Sequence, residues 1–407
     1  MPPELKESLL HALQHVQGYI YPNDVSLGWS VVIVVYPYIT GLVAGAFILA
    51  SLVRVFNVTA LEPTYRLSLL TALAFLLVAP LPLLVHLGHP ERCFEVMMTP
   101  HVTSPMAIFG FVYAWYLMAV LLLELWFDYR RSFVEWARSS TGIKKFIYQV
   151  LTLGVNDVSE EAIRLDERLG RFITVVGIPS AFLLHGYVGF IFGSVKANPW
   201  WGTVLMPIIF IFSAMVSGIA LLMFLYIVIS KFRGAPLDMR CVRMIGTFLL
   251  SALVLDAAVE TLDWVHRLYE AEESLEVLVL LASGKLFFSF LLVQVLMGTV
   301  APLAMLGAAQ ALKDQFSVRL QKMMYFASAV LILVGIFAMR WNVVIGGQLF
   351  SKSLRGFTTY KIALVGQEGL LVAVVLMGLP FVILFGLVKF FDPWNTREIA
   401  PPPSPLP

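Results

Sequence analysis

The chain has 407 residues, of which 59% are hydrophobic and 13% charged, and its mean hydropathy is +0.85. This composition excludes an ordinary soluble enzyme and predicts an all-α polytopic protein whose helices cross the membrane many times. The formal net charge of +2, without a basic tract, argues against nucleic-acid binding. Cys93 and Cys241 are too few for a four-thiolate iron–sulfur cluster and fall in predicted loops on opposite faces.

Apolar runs close to the roughly 20 residues that a bilayer requires predict nine membrane spans. They are Leu27–Val53, Tyr65–Leu87, Pro105–Trp126, Phe172–Phe192, Thr203–Ile229, Arg243–Leu268, Leu286–Ala308, Leu320–Val344 and Ile362–Phe390. The seventh is ambiguous, because apolar character begins at Leu275 and Lys285 interrupts it. We interpret Leu275–Ser283 as a short re-entrant or interfacial segment, and a tenth span is the alternative.

Basic residues favour one orientation of these spans. With the N-terminus outside, most Lys and Arg residues lie in the inner connections, namely residues 54–66, 127–171, 230–243 and 309–322 and the C-terminal tail. The positive-inside rule therefore predicts a multi-pass protein of the inner or plasma membrane, with the C-terminus in the cytoplasm. Residues 1–26 form an amphipathic segment that lies on the membrane or docks a partner, and residues 391–407 form a proline-rich tail.

The connection Phe127–Arg171 is the one loop long enough for a small domain. Its second part, Asp157–Arg171, is predicted to be an acidic and basic surface helix. The whole connection is short for an independent catalytic core. We therefore expect any chemistry to occur within the membrane or at its faces, and we assign no catalytic residue.

A row of acids lies inside the sixth predicted span. Asp256, Glu260 and Asp263 are spaced by four and three residues, so they share one helix face. An ionised carboxylate at the centre of a bilayer costs on the order of 3 kcal/mol or more, and the nearest countercharges on this helix are His266 and Arg267. Buried salt bridges are one interpretation, but we favour a proton-conducting lining in which at least one acid holds a proton. Glu124, near the inner end of the third span, is a candidate for a separate branch of this pathway.

Three outer connections carry unusual residues for a membrane margin. They are the segments 86–106 (containing His86, His89, Arg92 and His101), 196–214 (Trp200 and Trp201) and 339–348 (Arg340, Trp341, Asn342 and Gln348). The two neighbouring tryptophans are interpreted as interfacial anchors. Arg340 has polar and aromatic neighbours, so it either snorkels to the surface, holds an anionic partner or stabilises a charged intermediate.

These segments resemble one family. The run His-Leu-Gly-His-Pro-Glu-Arg at 86–92 is similar to the DLGRP-x-R turn of the NrfD or polysulfide-reductase membrane subunits, and Thr103–Met106 is similar to their N-x-S-P-M motif. The run Arg-Trp-Asn-Val-Val-Ile-Gly-Gly-Gln at 340–348 resembles the long-chain branch. That branch includes DsrP, QrcD and the membrane subunits of alternative complex III, and DsrP is the favoured likeness. His86 and His89 replace the usual Asp and Arg of the turn.

The resemblance implies a quinone-interacting subunit of a multi-subunit respiratory complex. It implies two four-helix bundles, residues 27–193 and 203–344, followed by the last helix at 362–390. It also implies a menaquinone-type quinone bound near the outer margin, an iron–sulfur ferredoxin-like subunit on the outer face, a role in sulfur or sulfite metabolism, and proton translocation. The residues expected to contact quinone are Tyr36, His86, His89, Arg92, His185, Arg340, Asn342 and Gln348, and the proton pathway is expected to use Glu124, Asp256, Glu260, Asp263 and His266.

Three polar residues of the first bundle support a quinone site independently. Tyr36, His86 and His185 are predicted at similar depths on three spans, and a quinone requires an apolar slot with a donor or acceptor at each carbonyl. For any one of them a core tyrosine or a satisfied histidine is an equally good interpretation. The set of three favours a site.

Two other functions fit parts of the pattern. Histidine pairs within membranes ligate haem, but His185 is the one histidine well inside a predicted span, so we expect neither haem nor another metal in this subunit. A proton-coupled secondary transporter also suits paired bundles, intramembrane acids and prolines within spans. Against it, the two halves lack matching Gly- or Pro-broken spans.

Overall fold

The computed structural model describes residues 27–99, 101, 103–270, 274–350 and 356–394. Within these ranges there is no β-strand, and nine helices are long and apolar enough to cross a membrane, which confirms the all-α polytopic class. In chain order, spans 1 to 9 are Val31–Arg54, Thr59–His86, Ala107–Ser139, Glu160–Gly193, Met206–Arg233, Met239–Glu270, Phe287–Ala311, Val318–Gln348 and Leu370–Phe390. The predicted amphipathic segment 1–26 and residues 395–407 of the predicted tail lie outside the described residues.

Local sequence signals set several helix ends. Ser30, Ser159 and Ser317 precede spans 1, 4 and 8, and each hydroxyl accepts a hydrogen bond from a backbone N–H in the first turn at 3.3 Å. Such caps satisfy donors that a helix leaves unpaired at its start. Gly234 follows span 5 with a φ of +64°, a left-handed conformation that glycine adopts without a steric penalty.

Two predicted connections contain helices of their own. Leu275–Ser283 is a separate helix of nine residues, about 14 Å long at 1.5 Å per residue, which is too short for the alternative tenth span. The predicted loop Phe127–Arg171 is mostly helical, because span 3 continues to Ser139 and span 4 begins at Glu160. Between them lies the helix Gly142–Leu151, so the helices extend beyond the ends that hydrophobicity alone predicts.

Span 1 is the centre of the packing, with nearly every side chain buried. It contacts spans 2, 4, 5, 8 and 9. It approaches span 5 closely at Gly45, where an added Cβ would lie 2.7 Å from the Cα of Gly218. The backbones of spans 1 and 5 can therefore approach only while both positions lack a side chain.

Spans 1 to 4, here called the first half, contact one another in a closed cycle, and so do spans 5 to 8, the second half. Spans 1 and 4 also contact span 5, and span 1 contacts span 8, so the two halves share a broad interface. The division into two separate bundles stays a prediction. We call the membrane boundary where span 1 begins the first margin, and the boundary where it ends the second margin.

Candidate functional site

Arg340 of span 8 is fully buried where the two halves meet. Its guanidinium donates hydrogen bonds to His185 Nε2 at 3.0 Å and to Ser213 Oγ at 2.6 Å, and it lies 4.1 Å from the centre of the Phe210 ring. His185 belongs to span 4, whereas Phe210 and Ser213 belong to span 5. One cation thus joins three spans, and its Nε has no hydrogen-bond partner among the described residues.

The contact with Arg340 fixes the state of His185. A guanidinium has no acceptor, so Nε2 of the imidazole must accept, and a neutral ring then carries its proton on Nδ1. That Nδ1 is buried and has no partner in the described part of the chain. The ring stacks on Phe210 at 5.5 Å, and Gly41 leaves room for it, since a Cβ there would lie 3.2 Å from Cε1.

Two acids of span 6 face this cation at a distance. Asp256 is buried and Glu260 is partly buried, and the electrostatic influence of Arg340 extends to both carboxylates. None of the ion pairs found between described residues includes Arg340, Asp256 or Glu260. Oδ1 of Asp256 is buried and makes no hydrogen bond to any described residue. We call Arg340, His185, Ser213, Phe210, Asp256 and Glu260 the Arg340 cluster.

A directional chain of hydrogen bonds ends on Glu260. The Ser289 hydroxyl donates to Asn342 Oδ1 at 2.6 Å, and Asn342 Nδ2 donates to Gln294 Oε1 at 2.9 Å. Gln294 Nε2 then donates to the two carboxylate oxygens of Glu260 at 3.2 and 3.4 Å. Because an ionised carboxylate only accepts, this order of donors suits a charged Glu260. Ser289 and Gln294 lie in the π-helical segment Phe287–Val300 of span 7.

Asp263 and His266, the other two pathway residues predicted on span 6, have different partners. Asp263 pairs with Arg267 at 2.9 Å and accepts a hydrogen bond from Thr203 at 2.5 Å. Arg267 also donates to the carbonyl of Trp200, so this pair holds span 6 to the connection before span 5. His266 is half exposed and lies 3.3 Å from Glu270 rather than facing the acids.

Glu124 lies apart from the Arg340 cluster, in the first half and toward the second margin. Its side chain is fully buried and accepts a hydrogen bond from Thr174 at 2.9 Å. Arg54 is within its electrostatic range. No hydrogen bond or ion pair in the described ranges connects Glu124 to Asp256 or Glu260.

The remaining predicted quinone contacts are spread along the first margin. Tyr36 is buried, lies edge-on to Phe109, and its hydroxyl has no partner among the described residues. His86 lies 2.8 Å from Glu368. His89 is exposed and lies 3.0 Å from Glu91. Arg92 is also exposed and pairs with Glu95 at 2.8 Å, and its hydrogen bonds lower the pKa of Glu95. Gln348 bonds to the backbone of Trp29 at 2.9 Å and so connects span 8 to the start of span 1.

The structure therefore brings together His185 and Arg340, with Asn342 in the adjoining chain, but shows no hydrogen bond or ring contact among Tyr36, His86 and His185 within the described residues. Sequence reasoning missed Ser213, Ser289 and Gln294. Each is a polar residue in an apolar run, which is a detectable signal at bilayer depth. The described residues contain no group of three His, Cys, Asp or Glu side chains arranged to hold a metal.

A cavity of about 60 Å³ lies beside Glu260 toward the first margin, between spans 5, 6, 7 and 8. Its lining consists of Trp200, Met206, Ile209, Glu260, Asp263, Trp264, Arg267, Leu278, Phe290, Gln294, Met339, Asn342 and Val343. A space of this size with several polar walls holds a few water molecules. The carboxylate of Glu260 and the Gln294–Asn342 chain therefore border a space that admits water.

Comparison with known proteins gives consistent relatives. Residues 22–352 match the model of the family described as polysulphide reductase, NrfD. A selenate reductase subunit of Mesobacillus selenatarsenatis is 31% identical over 330 residues, which cover 78% of this chain and 73% of that protein.

Two archaeal proteins are also similar. A putative dimethyl sulfoxide reductase membrane subunit of Halobacterium salinarum is 29% identical over 251 residues (58% of this chain and 53% of that protein). The Hdr-like menaquinol oxidoreductase integral membrane subunit of Archaeoglobus fulgidus is 24% identical over 358 residues (84% and 79%). With the family match covering most of its length, this chain belongs to the NrfD polysulphide reductase family.

Proposed function

We propose that this chain is the quinone-interacting membrane subunit of a multi-subunit respiratory oxidoreductase. In this proposal electrons pass between a menaquinone-type quinone and an iron–sulfur partner subunit. The observation that carries it is the Arg340 cluster, a buried cation and two carboxylates that form no direct ion pair with any described residue. Charged groups at bilayer depth are costly, so their presence indicates a function. The name of the Archaeoglobus relative supports menaquinol as the substrate.

The cluster suits the protons that quinone chemistry must exchange. Oxidation of a quinol releases two electrons and two protons, and the electrons go to the partner subunit. The donor chain from Ser289 to Gln294 favours a charged Glu260 beside the cavity, ready to accept a proton. Two neighbouring carboxylates in low dielectric do not both stay ionised. We propose that Asp256, whose Oδ1 lacks a donor among the described residues, holds the shared proton.

We further propose that this exchange extends to proton translocation, with the second half as the conducting part. Asp256 and Glu260 then form the main pathway and Glu124 a separate branch from the second margin. Asp263 and His266 were predicted as members of the same pathway. In the structure Asp263 pairs with Arg267 and His266 lies 3.3 Å from Glu270, so we assign both residues to the end of the pathway at the first margin rather than to the relay.

The positive-inside rule makes the first margin the outer one, with the C-terminus in the cytoplasm. At this margin the segment 87–98 exposes Phe94 and Met98, which are 68% and 78% accessible, between charged side chains. An apolar patch with a charged rim is typical of a protein interface. We propose it as the docking surface of the iron–sulfur subunit, with His89 and Arg92 in its rim.

Two finer assignments rest on sequence. The quinone site among Tyr36, His86 and His185 stays a prediction, with Arg340, Asn342 and Gln348 as further contacts. We also propose that the complex takes part in sulfur or sulfite metabolism, because the 340–348 motif resembles DsrP. This assignment depends on that motif alone. The relatives carry names from selenate, dimethyl sulfoxide and menaquinol-linked complexes.

The purified complex tests the proposal. Adding a menaquinol analogue should reduce the iron–sulfur centres of the partner, observed as a loss of their visible absorbance, and His185→Ala and Tyr36→Phe should slow this reduction without loss of assembly. A complex that assembles but shows no quinol-dependent reduction would contradict the function and favour the transporter alternative. Normal rates of quinol-dependent reduction in both variants would indicate that the quinone site lies outside the first half.

A further inference from the structure

An apolar groove lies on the lateral surface of the second half, near the first margin. Its volume is about 340 Å³, and its walls are Trp264, Val279, Ala282, Ser283, Phe287, Phe290 and Leu291. These residues come from span 6, the short helix Leu275–Ser283 and the start of span 7. Trp264 is six residues before the end of span 6, about 9 Å along the helix, so the groove lies close to the first margin.

The groove and the cavity beside Glu260 share two walls. Trp264 and Phe290 line both spaces, and their rings are 5.5 Å apart at an angle of 46°. On one side of these rings the walls are almost entirely apolar. On the other side are Glu260, Gln294 and Asn342. A molecule in the groove therefore has an aromatic clamp next to hydrogen-bonding groups.

The short helix accounts for this shape. It turns back before span 7, and the Lys285 ammonium fixes that turn by donating to the carbonyl of Thr358 at 2.8 Å, while partial burial lowers the pKa of this lysine. The following 14 residues are π-helical, a rare conformation that is frequent at functional sites. Three elements thus hold open a recess that straight packed helices would close.

We propose that this groove binds the ring of a membrane-soluble quinone, with a ring carbonyl toward the cavity and the tail in the lipid. The proposal rests on the function proposed above and gives its substrate a site in the second half, separate from the Tyr36–His86–His185 prediction. A volume of 340 Å³ is within the usual range for small-molecule sites. Phe287 and Val279 are 43% and 45% accessible, so the groove opens on an apolar surface of the helices, which suits a lipid-soluble ligand. An acyl chain would use the apolar wall but not the polar groups behind Trp264 and Phe290.

Photolabelling of the full complex in native membranes tests the site. The probe is an azido-naphthoquinone with a short alkyl tail, and mass spectrometry locates the labelled peptides. Labelling is expected within Val279–Leu291 or at Trp264, and an excess of unlabelled menaquinol analogue, but not of phospholipid, should suppress it. Label confined to peptides containing Tyr36, His86 or His185 would overturn the proposal while supporting the proposed function. Suppression by phospholipid alone would make the groove a lipid site and also overturn it.

A pair of variants adds a matched control. Ala282→Trp fills the groove, whereas Leu280→Trp introduces the same indole on the same helix, at a position that is 60% exposed and outside the groove. Labelling should fall about tenfold in Ala282→Trp, because the indole occupies the space that the quinone ring would fill, and this factor corresponds to about 1.4 kcal/mol of binding free energy. It should be unchanged in Leu280→Trp. Equal labelling of both variants would contradict the site, and if Ala282→Trp does not assemble, the mapping on the unmodified complex decides alone.

Discussion

The buried charges of Arg54, Arg66 and Asp128 at the second margin are balanced by direct contact, whereas those of the Arg340 cluster are balanced across a distance. At the second margin the Asp128 carboxylate accepts hydrogen bonds from Arg66 at 2.8 Å and from Arg54 at 3.4 Å. These three residues, here called the second-margin cluster, link spans 1, 2 and 3. In the Arg340 cluster the cation bonds to a histidine and a serine, while two carboxylates lie nearby without an ion pair in the described part of the protein.

The difference separates structural charge from functional charge. A buried carboxylate in direct contact with two arginines has a fixed charge and little capacity to exchange protons. A carboxylate with one weak donor or none changes its protonation state more readily. We infer that the second-margin cluster holds the first half together and that the Arg340 cluster moves protons. Substitutions in each cluster should then affect different properties.

The largest expected effect is on stability at the second margin. Arg66→Met leaves the buried Asp128 with the more distant Arg54, and breaking a buried pair typically costs about 3–5 kcal/mol. The amount of folded subunit in membranes and its thermal unfolding temperature should both fall. The complex that still assembles should have normal turnover. Wild-type stability combined with lost turnover would reverse the roles assigned to the two clusters.

Arg340→Met should reduce turnover strongly and stability only slightly, the reverse of Arg66→Met. Quinol oxidation per assembled complex should fall about hundredfold, the size of effect seen when one preorganised charge-stabilising group is removed. Stability should fall less than in Arg66→Met, because no described carboxylate pairs directly with Arg340. Stopped-flow reduction of the partner centres measures the rate, and immunoblotting of membranes measures abundance. A variant with full turnover would show that Arg340 is a structural residue.

A smaller effect is expected at Gln294. Gln294→Leu removes the donor to Glu260, and a hydrogen bond to a charged group contributes roughly 1.5 kcal/mol, so turnover should fall about tenfold. Glu260 should then take up a proton, giving a new carboxylic acid band in infrared difference spectra. The band should be lost in the double variant Gln294→Leu with Glu260→Gln. An unchanged spectrum would mean that the amide does not set the charge of Glu260.

Hydrophobicity predicted the fold well. It indicated the nine spans and the separate helix Leu275–Ser283, because length and apolar content decide whether a helix crosses a bilayer. It misplaced the ends of spans 3 and 4, since capping and loop packing, not hydrophobicity, determine where a helix stops outside the membrane. Ser159, which caps span 4, is one such determinant.

The site was less predictable. Helical spacing correctly placed Asp256, Glu260 and Asp263 along one helix, but it contains no information on partners from other spans. No sequence spacing links Arg340 to His185, which is 155 residues earlier in the chain. Nor does spacing show that Arg267 pairs with Asp263 while Asp256 has no ion-pair partner in the described residues. These contacts depend on how the two halves pack together.

Proton translocation per quinol oxidised, measured in proteoliposomes containing the reconstituted complex, tests the role of the Arg340 cluster most directly. Asp256→Asn and Glu260→Gln keep the shape of each side chain and remove its titratable group. We expect slower turnover and reduced proton translocation in both variants, at wild-type levels of assembly. Full turnover with full proton stoichiometry in both variants would contradict the proton-exchange role and make the acids of span 6 structural.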